Sequence, residues 1–294
     1  MQTILITGAN GFLGSYLCEL LMPDYKIIAT GKGECRLNYK HLNLQYEKLD
    51  FTNEENVKEM LQRHRPNIII HAGAMSKPDE CELNKKQAYL TNVKSTRYLL
   101  KQANRVKCFF VFISTDFIFD GVKGMYKEDD ESGPVNYYGA TKLLAENEVK
   151  EYVFEWSIVR TVLVYGHPKS GRDNILTVVA KGLQKGETLR IFDDQLRTPT
   201  FVEDLANAIR TIIEKRVTGI FHVSGEDKLS PFEMAIAVAN YLGFDSDLIE
   251  KTNAEDFQQQ AKRPAKTGFN ITKAKDELNF MPTSFTEGLR KTFK

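Results

Sequence analysis

The sequence has little that would mark a secreted, membrane-bound or metal-centred protein. Four of its 294 residues are cysteines, Cys18, Cys35, Cys81 and Cys108. No two form a CxxC pair, and none has a histidine at zinc spacing. That leaves no support for a disulfide framework or a metal centre, and reduced thiols in a cytoplasmic protein are expected. No apolar run approaches the ~20 residues needed to span a bilayer. The N-terminus does not read as a signal peptide, because no basic segment leads it and Gly8, Asn10 and Gly11 interrupt the apolar run. An excess of one charge is also missing: 40 Lys and Arg face 39 Asp and Glu, for a formal net charge of +1. No broad field therefore favours nucleic acid or an anionic membrane surface as partner, and an anionic ligand must be held by a local site. Internal repeats, low-complexity segments and long linkers are absent.

What is present is an ordinary globular composition, with 42% hydrophobic and 27% charged residues in a chain long enough to bury a sizeable core. The first half alternates strands and helices. Strands are expected at Thr3–Thr7, Lys26–Thr30, Leu44–Leu49, Asn67–Ala72, Cys108–Ser114 and Ser157–Tyr165. Helices are expected from Phe12 to Met22, after a capping box at Thr52–Glu55, from about Glu82 to Ala103, and from about Tyr138 to Tyr152. This alternation predicts an α/β fold built on a doubly wound parallel sheet of the Rossmann type. The second half is less regular. Helices are expected at Asn174–Lys185, Glu203–Lys215, after the Ser230–Glu233 capping box, and at Thr272–Leu278; strands are expected at Thr188–Phe192 and Gly219–Val223. The division expected is a dinucleotide-binding domain over 1–166 and a smaller C-terminal α/β substrate lobe over 167–294, with some segments of the latter returning to the first domain.

Gly8-Ala9-Asn10-Gly11-Phe12-Leu13-Gly14 lies between the first strand and the first helix. Glycines at this spacing allow a tight turn, close approach of backbone to a pyrophosphate, and close helix–sheet packing. A helix N-terminus supplies free N–H groups for the phosphates. A lone glycine triplet is a weak signal, but its place inside a βαβ pattern makes it a specific one. After the second strand no acid follows directly to bind a ribose 2′-hydroxyl, whereas Lys32 and Arg36 stand close by, which favours NADP(H) over NAD(H). Asp50, followed by Phe51, ends the third strand where an adenine would lie. His71-Ala72-Gly73-Ala74 ends the fourth strand, and its small residues leave room for a cofactor. His71 itself reads as a core histidine.

The fifth strand ends in Ser114-Thr115-Asp116, and Tyr138-Gly139-Ala140-Thr141-Lys142 opens a later helix. Residues i and i+4 share a helix face, so the Lys142 ammonium can stand beside the Tyr138 phenol and favour its ionised form. Such a phenol can deliver a proton to a carbonyl oxygen while a hydride arrives, with the Ser114 or Thr115 hydroxyl holding that oxygen. Tyr137, the neighbouring phenol, has no Lys four residues on.

The combination GANGFLG, HAGA, STDFIFDG and YGATK resembles the extended short-chain dehydrogenase/reductases that act on sugar nucleotides. Its best match within them is the dTDP-4-dehydrorhamnose reductase branch, and the likeness extends through Leu196–Thr200, Val202–Leu205 and Arg263-Pro264. The resemblance implies an NADPH-dependent reductase of a 4-keto nucleotide sugar, and by family analogy a homodimer. It also implies that Asn92 supports the active site, and that Asp116, Arg197 and Arg263 serve the substrate, the two arginines near its diphosphate. Phe117 stands where the family's dehydratases carry an acid, which argues against water loss. Leu163 stands where the rhamnose-forming enzymes usually carry Trp, which leaves the sugar open. The same branch contains a regulatory subunit of methionine adenosyltransferase, so an NADP-binding partner protein is the second reading. A nucleotide-sugar epimerase holding NAD is the third.

Overall fold

The computed structural model describes residues 1–169, 173–256 and 259–294. The strands are β1 (Thr3–Thr7), β2 (Lys26–Gly31), β3 (Leu44–Lys48), β4 (Ile68–His71), β5 (Phe109–Thr115), β6 (Trp156–Thr161), β7 (Val164–Tyr165), β8 (Leu189–Phe192), β9 (Thr200–Phe201), β10 (Gly219–Val223) and β11 (Ile249–Thr252). The α-helices are α1 (Phe12–Leu21), α2 (Glu54–His64), α3 (Pro78–Leu83), α4 (Lys85–Tyr89), α5 (Ser95–Val106), α6 (Tyr137–Lys150), α7 (Ile175–Gln184), α8 (Val202–Lys215), α9 (Pro231–Leu242), α10 (Thr272–Leu278) and α11 (Phe285–Thr292). None of the described helices is long and apolar enough to cross a membrane.

Seven parallel strands form one sheet in the order β10-β6-β5-β4-β1-β2-β3. The central strands are apolar on both faces because helices cover both. On one face Ile4, Ile6, Val111 and Val159 pack against α1, α8 and α10. On the other, Leu5, Ile69, Phe110 and Ile158 pack against α2, α5 and α6. The strand order reverses between β1 and β4, and an open α/β sheet binds its ligand in the crevice at such a point, beyond the carboxyl ends of the strands. A third core, built from Tyr165, Leu176, Val179, Phe201, Met234, Val238 and Phe285, holds α7, α9 and α11 together.

Three local expectations are corrected. The single helix expected from Glu82 to Ala103 is broken at Asn84 and passes through a π-turn over Leu90–Lys94. Its apolar spacing cannot distinguish an α from a π turn. The expected strand Ser157–Tyr165 divides, because Leu163 takes a left-handed φ of 34° and β7 leaves the main sheet to pair with β9. The Thr200 hydroxyl donates to the Val162 carbonyl at 2.6 Å at that break. Finally, Asn53 rather than Thr52 caps α2, accepting from the Glu55 and Asn56 N–H groups, while Thr52 donates its N–H and hydroxyl to Asp50.

Candidate active site

The glycine turn after β1 is shaped by two close approaches. Gly8 has φ +70°, and a Cβ there would stand 2.8 Å from the Gly73 Cα; a Cβ on Gly14 would stand 2.2 Å from the Gly8 carbonyl oxygen. Only glycine lets α1 begin this close to the turn. Asn10 ties the turn to the loop after β2. Its Nδ2 donates to the Glu34 carbonyl and the Tyr46 hydroxyl, both at 2.8 Å, and its Oδ1 accepts from the Arg36 N–H at 2.9 Å. The Arg36 guanidinium reaches the Asn10 carbonyl at 3.3 Å. Lys32 lies 3.0 Å from Asp50. Burial pushes the Asp50 carboxyl up, but hydrogen bonds from Thr52 and Lys32 outweigh it and hold the group below its ordinary value. The two residues that sequence reading assigned to different parts of a cofactor are therefore partners here.

His71 is a core residue. Its ring nitrogens face Thr7 Oγ1 at 2.7 Å and Thr96 Oγ1 at 3.2 Å, and burial depresses its pKa to about 3, so it is neutral. Phe51 packs edge-on against it at 5.6 Å and closes off the space beside Gly73.

The helix carrying the YxxxK motif starts hard against the end of β5. Asn136 caps it through Gly139 at 2.9 Å, and a Cβ on Gly139 would fall 2.0 Å from the Phe117 carbonyl oxygen. This contact sets half-buried Tyr138 edge-on to the Phe117 ring, centroids 5.8 Å apart. One turn on, Lys142 is 3% exposed. Its Nζ donates to the Ile113 carbonyl at 2.7 Å and lies 3.9 Å from the centre of the Phe112 ring. The Ser114 hydroxyl, in a residue only 4% exposed, has no hydrogen-bond partner among the described residues. Thr115 donates its hydroxyl to the Asp116 carboxylate at 3.0 Å and accepts from the Phe117 N–H. Asn92, presented by the π-turn, links Met75 (N–H to Oδ1, 2.8 Å) to the Thr141 hydroxyl (3.0 Å) and so braces α6 from behind. π-turns recur at functional sites.

Burial depresses the Lys142 pKa from 10.5 to about 7, against an upward pull from Glu146. The unfolded chain keeps the proton up to about 10.5 and the folded one only to about 7. Between those values the unfolded state binds more protons, so stability should rise with pH in that window. Lys142→Met should flatten that rise. Urea unfolding of the cofactor-free protein at pH 6.5, 8 and 9.5 measures it, and equal slopes in the two proteins would refute the assignment.

A cleft of about 500 Å³ joins these elements. Gly8, Gly11, Phe12, Leu13 and Gly14 line one end, with Ala72 and Ala74. Ser114, Thr115, Asp116, Tyr138 and Lys142 line the middle, and Gln195, Arg197 and Arg263 line the substrate-lobe end. Asn10, Lys32, Arg36, Asp50, Phe51, Gly73 and Asn92 do not line it; they shape it from behind or flank it. The buried Asp116 carboxyl is pushed up by desolvation and accepts from Thr267. Both arginines expected near a diphosphate already have protein partners. All four terminal N–H positions of Arg197 are used, by Leu196 O, Ala265 O, Pro264 O and Gln195 Oε1 at 2.7–3.0 Å. Arg263 forms a two-point pair with Asp79 of α3 at 3.0 and 2.6 Å. Residues that sequence reading missed along the cleft include Ser76, Ile113, Asn174, Gln195 and Pro231. Ser76, Asn174 and Gln195 lie outside any motif, whereas Ile113 and Pro231 lie in segments that were recognised only for their structural role; only the folded chain brings all five together.

Residues 1–294 match the family described as RmlD substrate binding domain. The chain belongs to that family. It is 30% identical to the dTDP-4-dehydrorhamnose reductase of Aggregatibacter actinomycetemcomitans, over 99% of this chain and 98% of the relative. It is 32% identical to methionine adenosyltransferase 2 subunit beta of Rattus norvegicus, over 81% of this chain and 72% of the relative. Among solved structures, the dTDP-4-dehydrorhamnose reductase of Bacillus anthracis str. Ames in complex with NADP superposes with a TM-score of 0.88. It is 32% identical, over 99% of this chain and 98% of that one. The family resemblance read from GANGFLG, STDFIFDG and YGATK is thus borne out, as is the α/β parallel-sheet fold.

Proposed function

We propose that this protein is a cytoplasmic, NADPH-dependent reductase of a 4-keto nucleotide sugar. The observation that carries this reading is the single cleft that runs from the glycine turn, past Ser114, Tyr138 and Lys142, to the substrate lobe. The residues present fit a nicotinamide dinucleotide: a glycine turn with no room for side chains, a helix N-terminus behind it, and small residues at 72–74. When bound, that cofactor supplies the hydride. Tyr138 donates a proton to the keto oxygen as the carbonyl becomes an alcohol. The Ser114 hydroxyl, without a partner among the described residues, donates to that oxygen, and Thr115 can join it only by turning its hydroxyl away from Asp116. Lys142 stabilises the phenolate that remains, and an anion beside it would raise its own pKa again.

NADPH is favoured over NADH because Lys32 and Arg36 flank the loop after β2 and because the Bacillus anthracis relative was solved with NADP. Lys32→Ala with Arg36→Ala should weaken NADPH binding at least tenfold, as lost charge-assisted contacts to a 2′-phosphate would, and leave NADH binding unchanged. Fluorescence titration of both cofactors checks this, and an equal loss for both would assign the two cations elsewhere. The reaction itself is tested by loss of NADPH absorbance with dTDP-, UDP- and GDP-linked 4-keto sugars.

The likeness to methionine adenosyltransferase 2 subunit beta favours a second reading, an NADP-binding regulatory subunit. Inertness toward every keto sugar together with capture of a stoichiometric protein partner would establish it. The Ser114–Tyr138–Lys142 set, which a pure binder does not need, supports the reductase.

A further inference from the structure

We propose that Gln195 is a substrate-recognition residue whose side-chain amide donates to a diphosphate oxygen of the nucleotide sugar. This rests on the reading of the cleft as a nucleotide-sugar site. Gln195 lines the cleft and is 8% exposed. Its Nε2 is buried and has no hydrogen-bond partner among the described residues. The orientation of the amide follows from its neighbour. Arg197 Nη2 stands 3.0 Å away, and a guanidinium can only donate, so the atom facing it is the carbonyl oxygen and the NH₂ group is left over. A buried donor without an acceptor is costly. No described protein group supplies the acceptor, and the cleft that Gln195 lines is a route by which a ligand can bring one.

The surroundings point to an anionic oxygen. Tyr138 packs on Phe117 at 5.8 Å, and the Arg197 guanidinium lies 5.9 Å from the centre of the Phe117 ring. Gln195 is thus linked to the proton donor through two intervening side chains, Arg197 and Phe117. Arg197 has spent its terminal N–H groups but keeps its charge, and Arg263 lines the same end. The nearby carboxylates have other partners: Asp79 is held by Arg263, Asp116 by Thr267, Asp173 by Lys181 and Asp194 by the Ala254 N–H. Arg197 therefore acts as a fixed positive neighbour that orients Gln195, and the amide makes the contact.

The test is calorimetric titration of the wild type, Gln195→Glu and Gln195→Leu with dTDP, UDP and NADPH, together with thermal unfolding. Gln195→Glu keeps an oxygen facing Arg197 but replaces the donor and adds a negative charge, whereas Gln195→Leu removes the donor without adding one. The expected result is at least tenfold weaker nucleoside diphosphate binding in Gln195→Glu, the scale of one charge-assisted hydrogen bond. A smaller loss is expected in Gln195→Leu, with NADPH affinity unchanged in both variants and the unfolding midpoint of Gln195→Glu unchanged. Wild-type affinity for dTDP and UDP in both variants would overturn the proposal. A wild type that binds neither nucleoside diphosphate would overturn the reading of the cleft along with it.

Discussion

Tyr138→Phe is expected to lower kcat roughly 10²–10⁴-fold, the usual contribution of a positioned proton donor, and to leave NADPH affinity unchanged. The variant removes one oxygen. The ring keeps its edge-on contact with Phe117, and the glycine turn that receives the dinucleotide is untouched. Lys142 remains one turn away. The neighbouring Tyr137 cannot take over. Its ring lies under the Lys85 ammonium at 5.4 Å, and its N–H is bound to Glu82, which ties it to α3 and α4. Tyr137→Phe should therefore be close to wild type. Steady-state rates with a keto nucleotide sugar, alongside a cofactor titration, decide the matter. A Tyr138→Phe enzyme within a few-fold of wild type would mean that the proton comes from another group.

The second large effect concerns stability. Glu146→Ala should cost about 3–5 kcal/mol, because it strands a buried cation. Arg160 of β6 is 2% exposed and Glu146 is fully buried. They form a two-point pair at 3.0 and 2.8 Å. Arg160 also donates to the Glu128 carbonyl at 3.1 Å and stands 3.2 Å from His222 Nε2. Burial, with Arg160 close by, depresses the His222 pKa to about 3. The ring is neutral, so Nε2 accepts from Arg160 and Nδ1 donates to the Tyr126 carbonyl at 2.9 Å. Removing Glu146 leaves Arg160 facing only neutral acceptors. The double variant Glu146→Leu/Arg160→Met, which removes both charges and refills the volume, should recover much of the loss. Urea unfolding of both measures it, and a cost below about 1 kcal/mol for Glu146→Ala would place the pair with weak surface ion pairs.

The parts of this molecule that were legible in the sequence are those in which one short segment carries both the structure and the signal. The glycine turn at 8–14 and the YxxxK at 138–142 belong to this group, as does the Ser230–Glu233 capping box, which the structure shows in full. Features that depend on where a distant segment arrives were not legible. The break at Leu163 is fixed by Thr200, and the caps around 50–55 are decided by which side chain reaches which N–H. Arg197 and Arg263 could be recognised as suited to phosphate, but nothing in their neighbours along the chain shows that Asp79, 184 residues away, claims one of them. Arg197 is engaged partly by the carbonyls of Pro264 and Ala265, and backbone partners leave no trace in composition. Gln195 carried no signal, because a lone glutamine in a loop is ordinary until its missing partner is seen.

The seventh strand of the sheet, β10, is made long after the other six. On the ribosome, β6 and its apolar faces are finished at Thr161, but the strand that pairs with its outer edge begins only at Gly219. At the usual 5–20 residues per second, roughly 3–12 s pass between the two. During that interval the nascent protein offers an unpaired edge, a ready template for association with other chains. Yield in a cell should therefore respond to translation speed and chaperone supply between these two points more than to the final stability of the fold. Synonymous codon changes within 162–218 would be the sensitive place to alter it.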